Sequence, residues 1–443
     1  MRRARLELSG WGRFTRAVCD ASRPERMGEA EREIAAADDT GICVQGAARS
    51  YGDCALNDGG RVVITTRLDR ILAFDPATGI VEVEPGVNFR RLLDVFLPRG
   101  FMVPVTPGTS FATIGGAVAN DVHGKNHEHA GSFGQHVTAL DLILPDGTRH
   151  TITPADTALF RATVGGVGLT GLITRIAFRM VKVSGARVRV REERCADLEH
   201  FLSAMADAAA STYSVGWIDG TAQGRALGRG ILETAEHVDS ELRVPVEAKR
   251  AVPMDFPGFA LNPLSVMAFN EAYFRRVPAE GRVHRIHLQK FLYPLDAIHG
   301  WNRIYGKRGF VQFQCVVPYE TGATALRELL SVIAAARQAS FLAVLKRMGP
   351  GRAGYLSFPT PGYTLALDFP NKPGVEDLYA RLVAMTLSAG GRVYLGKDAL
   401  LDAHSFRLMY PEFGAFSAVL EQVDPTHRLR SDMARRLRLQ GPP

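Results

Sequence analysis

The chain has 443 residues, of which 46% are hydrophobic and 22% are charged, and 53 Lys and Arg against 46 Asp and Glu give a formal net charge of +7. Such a composition is ordinary for a globular protein, and the length exceeds one typical core, so we expect two domains. The basic residues form no dense block, which disfavours nucleic acid as a partner, and five widely spaced cysteines without a CxxC pair disfavour a disulfide framework or a metal site.

The N-terminal segment begins with basic residues but lacks the apolar core of roughly 7–15 residues that a secretory signal needs. No window approaches the roughly 18 uninterrupted apolar residues of a membrane-spanning helix. We therefore expect a cytoplasmic protein. Its mild positive charge is compatible with peripheral contact with the inner membrane.

The first part of the chain mixes strands and helices. The composition predicts an exposed helix at 21–38 and a helix with apolar residues at helical spacing at 88–97. Alternation and β-branched residues predict strands at 41–45, 61–65, 80–84 and 171–181, and a hairpin at 137–152. This order is not a regular βαβ repeat, and no GxGxxG follows a first strand. The pattern indicates an α+β fold and disfavours a nicotinamide-type Rossmann site.

The pattern changes after Val183. Further strands are predicted at 187–191, 213–217, 305–319, 340–346 and 364–369, with helices at 323–338 and 431–439. Between them, Glu233 to Pro263 mixes charges and four prolines without a period. We interpret this segment as a long mobile loop that serves as a lid.

Three glycine-rich segments lie between predicted strands, at 45–53, 107–136 and 163–171. Glycine loses much chain entropy on folding, so this density indicates backbone that approaches something flat or anionic closely. A single such segment is nearly as well explained by a surface loop that holds nothing. Three together indicate passes of backbone around one extended cofactor.

These segments resemble those of flavoproteins of the vanillyl-alcohol oxidase type, and most closely the family of decaprenylphosphoryl-β-D-ribose 2′-oxidases. The resemblance covers nearly the whole chain but is weaker in its middle third. It implies a two-domain FAD-binding fold: an FAD domain at 1–185, a substrate domain on an antiparallel sheet at 186–391, and a C-terminal segment at 392–443 that returns to the FAD domain. The strings that carry it are GWGR at Gly10, ARSYGD at Ala48, PGT at Pro107, IGGAVANDVHGKNHEHAGSFGQHV at Ile114, LFRATVGGVGLTG at Leu159, WNRIYG at Trp301, VQFQ at Val311, LSFPTPG at Leu356 and SDMARRL at Ser431.

The same resemblance implies which residues hold FAD. Many relatives attach the flavin through a histidine in the loop that here is ARSYGD, where this chain has Tyr51 near that position and no histidine. We therefore predict non-covalent FAD. The implied cofactor residues are Arg49, Ser50, Tyr51, Gly52, Pro107, Gly108, Thr109, Thr113, Gly115, Gly116, Ala117, His123, Gly124, Asn126, Gly165, Gly168 and Gly171.

Oxidation of an alcohol by a flavin needs a base or a hydrogen-bonded relay for the hydroxyl proton. The candidates are His123 and Lys125 in HGKN, and Tyr394 and Lys397 in RVYLGKD. A lone histidine is more often structural than catalytic, and composition alone would make Lys397 an exposed residue at a strand end. The resemblance instead implies that it forms a wall of the active site.

Gln312 and Gln314 alternate in VQFQ, so both point to one face of a strand, where amides suit sugar hydroxyls. A solvent-facing polar edge would give the same pattern. Some family members carry a cysteine where this chain has Ala366, and some carry an asparagine where it has Thr364. These differences leave the exact substrate open. The implied substrate residues are Gln312, Gln314, Lys346, Thr364, Ala366, Tyr293, Trp217 and Asn302.

The resemblance implies oxidation of the C2 hydroxyl of a lipid-linked phosphoryl ribose to the ketone. A separate NADH-dependent reductase would complete epimerisation to arabinose for cell-wall arabinan. One alternative is a sugar, alditol or aldonolactone oxidase of the same superfamily, although the HWxK-type motif of that class is absent from this sequence. A second alternative is a flavin-binding assembly subunit without turnover, which the intact HGKN string disfavours.

Overall fold

The computed structural model describes residues 3–244 and 250–440. Its first 182 residues contain eleven strands and five helices within the described part. The strands are β1 (Arg3–Ser9), β2 (Arg16–Ser22), β3 (Ile42–Gln45), β4 (Arg61–Ile64), β5 (Ile71–Asp75), β6 (Ile80–Val83), β7 (Phe101–Met102), β8 (Val137–Ile143), β9 (Arg149–Ile152), β10 (Leu172–Arg179) and β11 (Val181–Lys182). The helices are α1 (Met27–Ala35), α2 (Phe89–Phe96), α3 (Ile114–Ala119), α4 (His127–Ala130) and α5 (Thr157–Thr163).

Two sheets organise this first region. One is a four-stranded sheet in the order β1-β2-β4-β3, in which β4 runs parallel to both of its neighbours. The other is an antiparallel sheet in the order β5-β6-β10-β8-β9. The buried face of α2, with Phe89, Leu92, Leu93 and Phe96, packs in the same apolar cluster as β6, β8 and β10.

The second region contains the remaining strands and helices. The strands are β12 (Arg187–Cys195), β13 (Tyr213–Ile218), β14 (Gly230–Val238), β15 (Arg250–Ala251), β16 (Arg282–His287), β17 (Ile298–His299), β18 (Phe310–Val317), β19 (Ala343–Met348), β20 (Gly362–Pro370) and β21 (Arg392–Val393). The helices are α6 (Leu198–Asp207), α7 (Pro263–Arg275), α8 (Leu288–Leu292), α9 (Tyr319–Ala336), α10 (Val375–Ser388), α11 (Ala403–Met409), α12 (Phe413–Val423) and α13 (Asp432–Leu437).

Eight of these strands form one antiparallel sheet in the order β16-β12-β14-β13-β19-β20-β18-β21. Side chains alternate between its two faces, so odd and even residues of a strand have different surroundings. Phe313, Cys315, Leu365 and Leu367 belong to the core that this sheet shares with α6, α9 and α10. The residues between them in sequence face the other way. The predicted α+β class with an antiparallel second sheet is confirmed.

The C-terminal segment packs back onto the first region. Backbone hydrogen bonds join Ile42 of β3 to Arg428 and Arg430, and α12 packs on α5. The Arg436 guanidinium of α13 binds both Asp53, which follows the first glycine-rich loop, and Asp398. The end of the chain thereby supports a loop nearly four hundred residues earlier. Within residues 3–244 and 250–440, no helix combines the length and apolar character that crossing a bilayer requires.

Some element boundaries were predicted wrongly. Residues 21 and 22 belong to β2, and the predicted helix at 21–38 forms only as α1. The first residues of the predicted lid, Glu233–Val238, pair with β12 and β13 as part of β14, because their cross-strand partners outweigh their irregular composition. Residues 245–249 of that segment lie outside the described part of the chain. The sequence patterns also missed α7, which begins with Asn262 as its N-cap and Pro263 at its first position.

Candidate active site

A cavity of about 1280 Å³ lies between the glycine-rich segments and the open face of the eight-stranded sheet. Small-molecule sites usually enclose roughly 300–1,000 Å³, so this cavity has room for more than one small ligand. One wall consists of backbone from the three glycine-rich segments. The opposite wall consists of the side chains of β13, β18, β19 and β20 that alternate with the core residues.

The first glycine-rich segment packs directly against the second. A Cβ atom at Gly46 would lie 2.3 Å from Thr113 Oγ1, so only glycine permits this approach. Thr113 is the N-cap of α3 and accepts a hydrogen bond from the Gly116 amide at 3.3 Å. Ala48 adopts a φ of 50°, which turns the chain toward Arg49. The segments therefore form one continuous backbone surface along the cavity.

Arg49 presents an unpaired cationic edge to this surface. Its guanidinium lies over the Trp11 ring, 4.3 Å from the centroid, and 5.3 Å from the Phe111 centroid. Nε of Arg49 is buried and has no hydrogen-bond partner among residues 3–244 and 250–440, and burial lowers the pKa of the group. A buried N–H without an acceptor is costly, so a bound phosphate would satisfy it.

The third segment is tied to α3 by its backbone. The amides of Gly165 and Val167 donate to the carbonyls of Val118 and Ala119, at 2.9 and 2.8 Å. Val167 and Gly168 both have positive φ, and a Cβ at Gly168 would meet nothing within 4 Å. Gly168 and Gly171 therefore expose backbone to the cavity. The volume, the glycine backbone and the unpaired Arg49 together fit FAD.

His123 lies where the glycine-rich wall meets the sheet. Its Nε2 accepts a hydrogen bond from the Gln314 amide at 3.0 Å, and its ring packs between Phe358 and Tyr394. Its Nδ1 is buried without a hydrogen-bond partner in the described part of the chain, and burial, followed by Lys346, holds its pKa well below the usual range. His123 is therefore a neutral imidazole that can hydrogen-bond a ligand.

Lys397 lines the cavity with its ammonium over Tyr51, 3.7 Å from the ring centroid. Burial lowers the pKa of Lys397, Asp368 opposes that shift, and Lys346 adds to it. Asp368 is completely buried and accepts hydrogen bonds from Gln312 at 2.5 Å and from Tyr305 at 3.0 Å. Burial raises the pKa of Asp368. The pKa values of Lys397 and Asp368 are therefore shifted toward each other.

Two further lysines line the same cavity. The Lys125 ammonium donates to the Phe291 carbonyl and lies 4.1 Å from the centroid of that ring. Burial lowers the pKa of Lys125 to about 8, and burial with the charge of Lys125 lowers the pKa of Lys346 to about 8. Tyr394 differs from these groups, because its hydroxyl donates to the Asn120 carbonyl at 3.0 Å and burial raises its pKa.

The structure brings most of the predicted site residues to this cavity. All four catalytic candidates line it. Of the predicted cofactor residues, Arg49, Ser50, Tyr51, Pro107, Gly108, Thr109, Thr113, Gly115, Gly116, His123, Gly124, Gly168 and Gly171 line it. Of the predicted substrate residues, Gln312, Gln314, Lys346, Thr364, Ala366, Trp217 and Asn302 line it.

Five predicted residues lie behind the cavity wall. A Cβ at Gly52 would lie 1.8 Å from the Asp398 carbonyl, and Ala117 is on the buried face of α3. Asn126 donates to the Pro104 carbonyl at 2.8 Å, and Gly165 provides the turn that ties its loop to α3. Tyr293 is 3% exposed and hydrogen-bonds Thr106. These five residues support the wall from behind, and the direct ligand role predicted for them stays a prediction.

The sequence also contained residues of the site that the prediction missed. Thr364, Ala366 and Asp368 alternate on β20, so the two predicted residues already indicated that Asp368 faces the same side. Asp296 holds the second glycine-rich segment by accepting hydrogen bonds from Thr109 and Ser110. No local pattern indicates Asp296, since its partners are 187 and 186 residues away.

Comparison with known proteins agrees with this geometry. Residues 22–153 match the family described as FAD binding domain, and residues 306–437 match the family described as D-arabinono-1,4-lactone oxidase. Decaprenylphosphoryl-β-D-ribose oxidase of Mycolicibacterium smegmatis is 37% identical over 98% of this chain and 97% of its own length. A protein of Streptomyces coelicolor described by its position in the mprA 5′ region is 33% identical over 80% of this chain and all of its own length.

A more distant relative, L-gulono-1,4-lactone dehydrogenase of Mycobacterium tuberculosis, is 22% identical over 95% of this chain and 96% of its own length. The FAD domain match confirms the predicted cofactor and, with the lactone oxidase match, the predicted two-domain fold. Because the identity to the mycobacterial enzyme extends over nearly both entire chains, this protein is an FAD-dependent oxidoreductase that belongs to the family of the decaprenylphosphoryl-β-D-ribose oxidases.

Proposed function

We propose that this protein oxidises the C2 hydroxyl of a polyprenylphosphoryl ribose, or a closely similar lipid-linked pentose, to the 2-keto form. The observation that carries the proposal is the placement of Lys397, Gln312 and Gln314 in the same cavity that the glycine-rich backbone lines. The name of the mycobacterial relative supports the choice of substrate. FAD, when bound, supplies the acceptor for the hydride that leaves C2.

The residues of this chain would bind and orient the sugar. Gln314 is fixed by His123 and by Thr364 at 3.2 Å, so its remaining amide oxygen is available to a sugar hydroxyl. Lys125 and Lys346 present ammonium groups from the neighbouring strand and loop. Holding C2 at one place on the cofactor matters, because fixed geometry contributes a large part of enzymatic rate enhancement.

Lys397 is the proposed acceptor of the hydroxyl proton. Its lowered pKa makes part of the population neutral near physiological pH, as a base requires. When it takes the proton, Asp368 is nearby to balance the new charge. His123 is less suited, because a charge there would face Lys346, His127 and Lys397 in a buried setting. The Tyr394 hydroxyl already donates a hydrogen bond to a backbone carbonyl.

The 2-keto product of this oxidation needs a further reaction. A 2-keto pentose becomes an arabinose derivative only when hydride is added to C2 from the other side, which requires a reductant. We propose that a separate NADH-dependent reductase performs that step and that the product supplies cell-wall arabinan. The lipid-linked substrate also requires contact with a membrane, and we propose peripheral association with the inner membrane.

We also propose that the chain divides at 185/186 and 391/392 as the sequence predicted. The two sheets of the first region lie within residues 3–179, and the eight-stranded sheet lies within residues 187–393. The last strand of that sheet, β21, comprises the first two residues after the second boundary. Of the helices after it, α12 packs on α5, and α13 begins with a backbone hydrogen bond from Asp432 to Leu56.

A lactone or free-sugar oxidase is the second candidate, because residues 306–437 match the D-arabinono-1,4-lactone oxidase family. The test is anaerobic mixing of the FAD-loaded protein with synthetic polyprenylphosphoryl ribose in detergent, free ribose, or an aldonolactone. The expected result is rapid bleaching of the flavin absorption only with the lipid-linked sugar. Bleaching by the lactone, with none by the lipid-linked sugar, would support the second candidate instead.

A further inference from the structure

The cavity is lined at its exposed end by Met254 and Ile298, and further exposed apolar side chains follow in the same stretch of sequence. Cavity residues that are also exposed at the surface are concentrated between Pro253 and Lys307, so this segment contains the mouth. Thirteen large hydrophobic residues are exposed in the described part of the chain, and eight lie here: Val283 in the edge strand β16 and seven others. We call these seven the apolar rim: Met254, Phe256, Phe259, Leu264, Met267, Phe269 and Ile298.

The exposure within the rim is large. Phe259 is 79% exposed, Leu264 78% and Met254 69%. From Phe256 to Asn270 the sequence has no charged residue, although most of these side chains face solvent. A solvated surface normally carries charge, and a contiguous apolar surface usually marks a site of interaction.

The rim is held firmly by the structure behind it. In α7, Val266, Asn270 and Phe274 are buried, and Asn270 donates to Asp219 at 2.7 Å. The preceding loop is fixed by the ion pair of Arg13 with Asp255 at 2.5 Å and by the hydrogen bond from the Phe256 amide to Arg303 at 2.9 Å. The exposure therefore reflects an anchored surface.

Positive charge accompanies the rim. Arg13, Arg303 and Lys307 all lower the pKa of Asp255, so three cations surround one carboxylate. Arg303 and Lys307 are exposed and line the mouth itself. Apolar side chains beside excess positive charge are the combination that binds the surface of an anionic bilayer.

We infer that the apolar rim is a membrane-docking surface that seats the cavity mouth on an anionic bilayer. The inference extends the proposed function, since a lipid-linked sugar must pass from the bilayer into this mouth. A bilayer fits the surface better than a protein partner does. Met254 and Ile298 of the rim line the cavity, so a protein docked there would cover the entrance, whereas a bilayer would supply substrate through it.

The test is flotation of the FAD-loaded full chain with vesicles of phosphatidylcholine and phosphatidylglycerol. The test variant is Phe259→Asp with Leu264→Asp. The matched control is Leu72→Asp with Leu408→Asp, which changes exposed leucines that are 44% and 55% accessible elsewhere on the surface. We expect the wild type and the control to float and the rim variant to bind at least about tenfold more weakly, because it replaces two inserted apolar side chains with charges.

A wild type that does not float, or a rim variant that floats as well as the control, would overturn the inference. A third outcome would also overturn it: the wild type forms a dimer and binds no vesicles, and the rim variant is a monomer. The rim would then join two copies of this chain. Flavin reduction by substrate dispersed in detergent separates this inference from the proposed function. All three proteins should be reduced at the same rate there, and absence of reduction in all three would count against the function and not against the surface.

Discussion

Lys397, the proposed base, combines a place in the cavity with a lowered pKa. Its ammonium lies over Tyr51, and burial shifts its pKa toward neutrality. FAD would be held by the glycine-rich backbone and Arg49, which do not depend on this side chain. Lys397→Ala should therefore leave a yellow protein with a normal flavin spectrum. Its reduction by substrate should slow by at least about 10²-fold, the lower range for loss of acid–base catalysis.

Stopped-flow absorbance under anaerobic conditions measures that rate, with Lys290→Ala at an exposed position of α8 as the control. A variant that is reduced at nearly the wild-type rate would move the base to His123. A colourless variant would show instead that Lys397 supports the cofactor site.

The charge of Asp368 raises the pKa of Lys397, and the pH dependence of flavin reduction tests this effect. Reduction should speed up as pH rises through the pKa of Lys397, because only the neutral amine accepts a proton. The carboxylate of Asp368 raises that pKa, so Asp368→Asn should lower it and move the rise in rate to lower pH. The measurement is the pH profile of flavin reduction for both proteins. An unchanged midpoint, or a shift to higher pH, would contradict this coupling.

Ala366 offers a test of the predicted substrate wall. It lies opposite Gln314 in the pairing of β18 with β20 and lines the cavity. All five native cysteines are buried, and burial raises the pKa of each thiol, which slows alkylation. Ala366→Cys should gain one rapidly alkylated thiol that bound substrate protects. Intact mass measured over time with iodoacetamide gives the result, and a variant that labels no faster than wild type would place Ala366 away from the open cavity.

At the scale of single residues, the local sequence pattern predicted much of the cavity lining. Alternation on one strand correctly grouped Gln312 with Gln314, and the same rule applied to β20 would have added Asp368 to Thr364 and Ala366. Local pattern could not indicate that Tyr293 and Asn126 face away from the cavity. Their positions depend on contacts with Thr106 and Pro104, which only the folded chain brings near.

Among the elements, α13 has the longest-range effect on the site. Arg436 binds Asp53 at 2.7 Å and Asp398 at 2.9 Å, and both carboxylates are almost fully buried. Arg436→Gln would leave buried negative charge without its partner, which costs about 3–5 kcal/mol in comparable cases. We expect a clearly lower thermal midpoint and faster loss of FAD, since Asp398 packs directly on Gly52.

Arg67→Gln is the matched control, because it removes an ion pair with Glu25 in which both side chains are at least half exposed. Exposed pairs contribute about 0–1 kcal/mol, so its midpoint should stay close to that of the wild type. Differential scanning fluorimetry and flavin fluorescence follow the two effects. Equal midpoints for both variants would show that the C-terminal segment does not stabilise the loop.

Element prediction succeeded where periodicity was strong and tertiary pairing agreed with it. The helix predicted at 88–97 forms as α2, and the hairpin at 137–152 forms as β8 and β9. The prediction for the segment after Glu233 was wrong, because its charged and proline-rich sequence concealed both a paired strand and the start of helix α7. The stability of β14 comes from its two neighbours, which lie far away in sequence.

On the scale of the whole molecule, the cavity is built from distant parts of the chain. Loops near residues 46–51 and 107–124, the sheet residues 312–366 and the turn at 394–397 all contribute to its wall. A ligand that binds only this assembled form stabilises every part of it at once. FAD is therefore expected to act as a structural element as well as the redox group.

The mode of FAD attachment is the last property that can be tested on the intact protein. A covalent link needs a nucleophilic side chain against the flavin, and the loop from Gly46 to Gly52 contains no histidine or cysteine. Tyr51 in that loop is a buried phenol whose pKa burial raises well above its usual value, so it is a poor nucleophile. Acid precipitation should release all of the yellow colour into the supernatant, where its absorption spectrum can be measured. A fluorescent protein band on a denaturing gel would show a covalent bond and would direct attention to His123, His299 and Cys54, which also line the cavity.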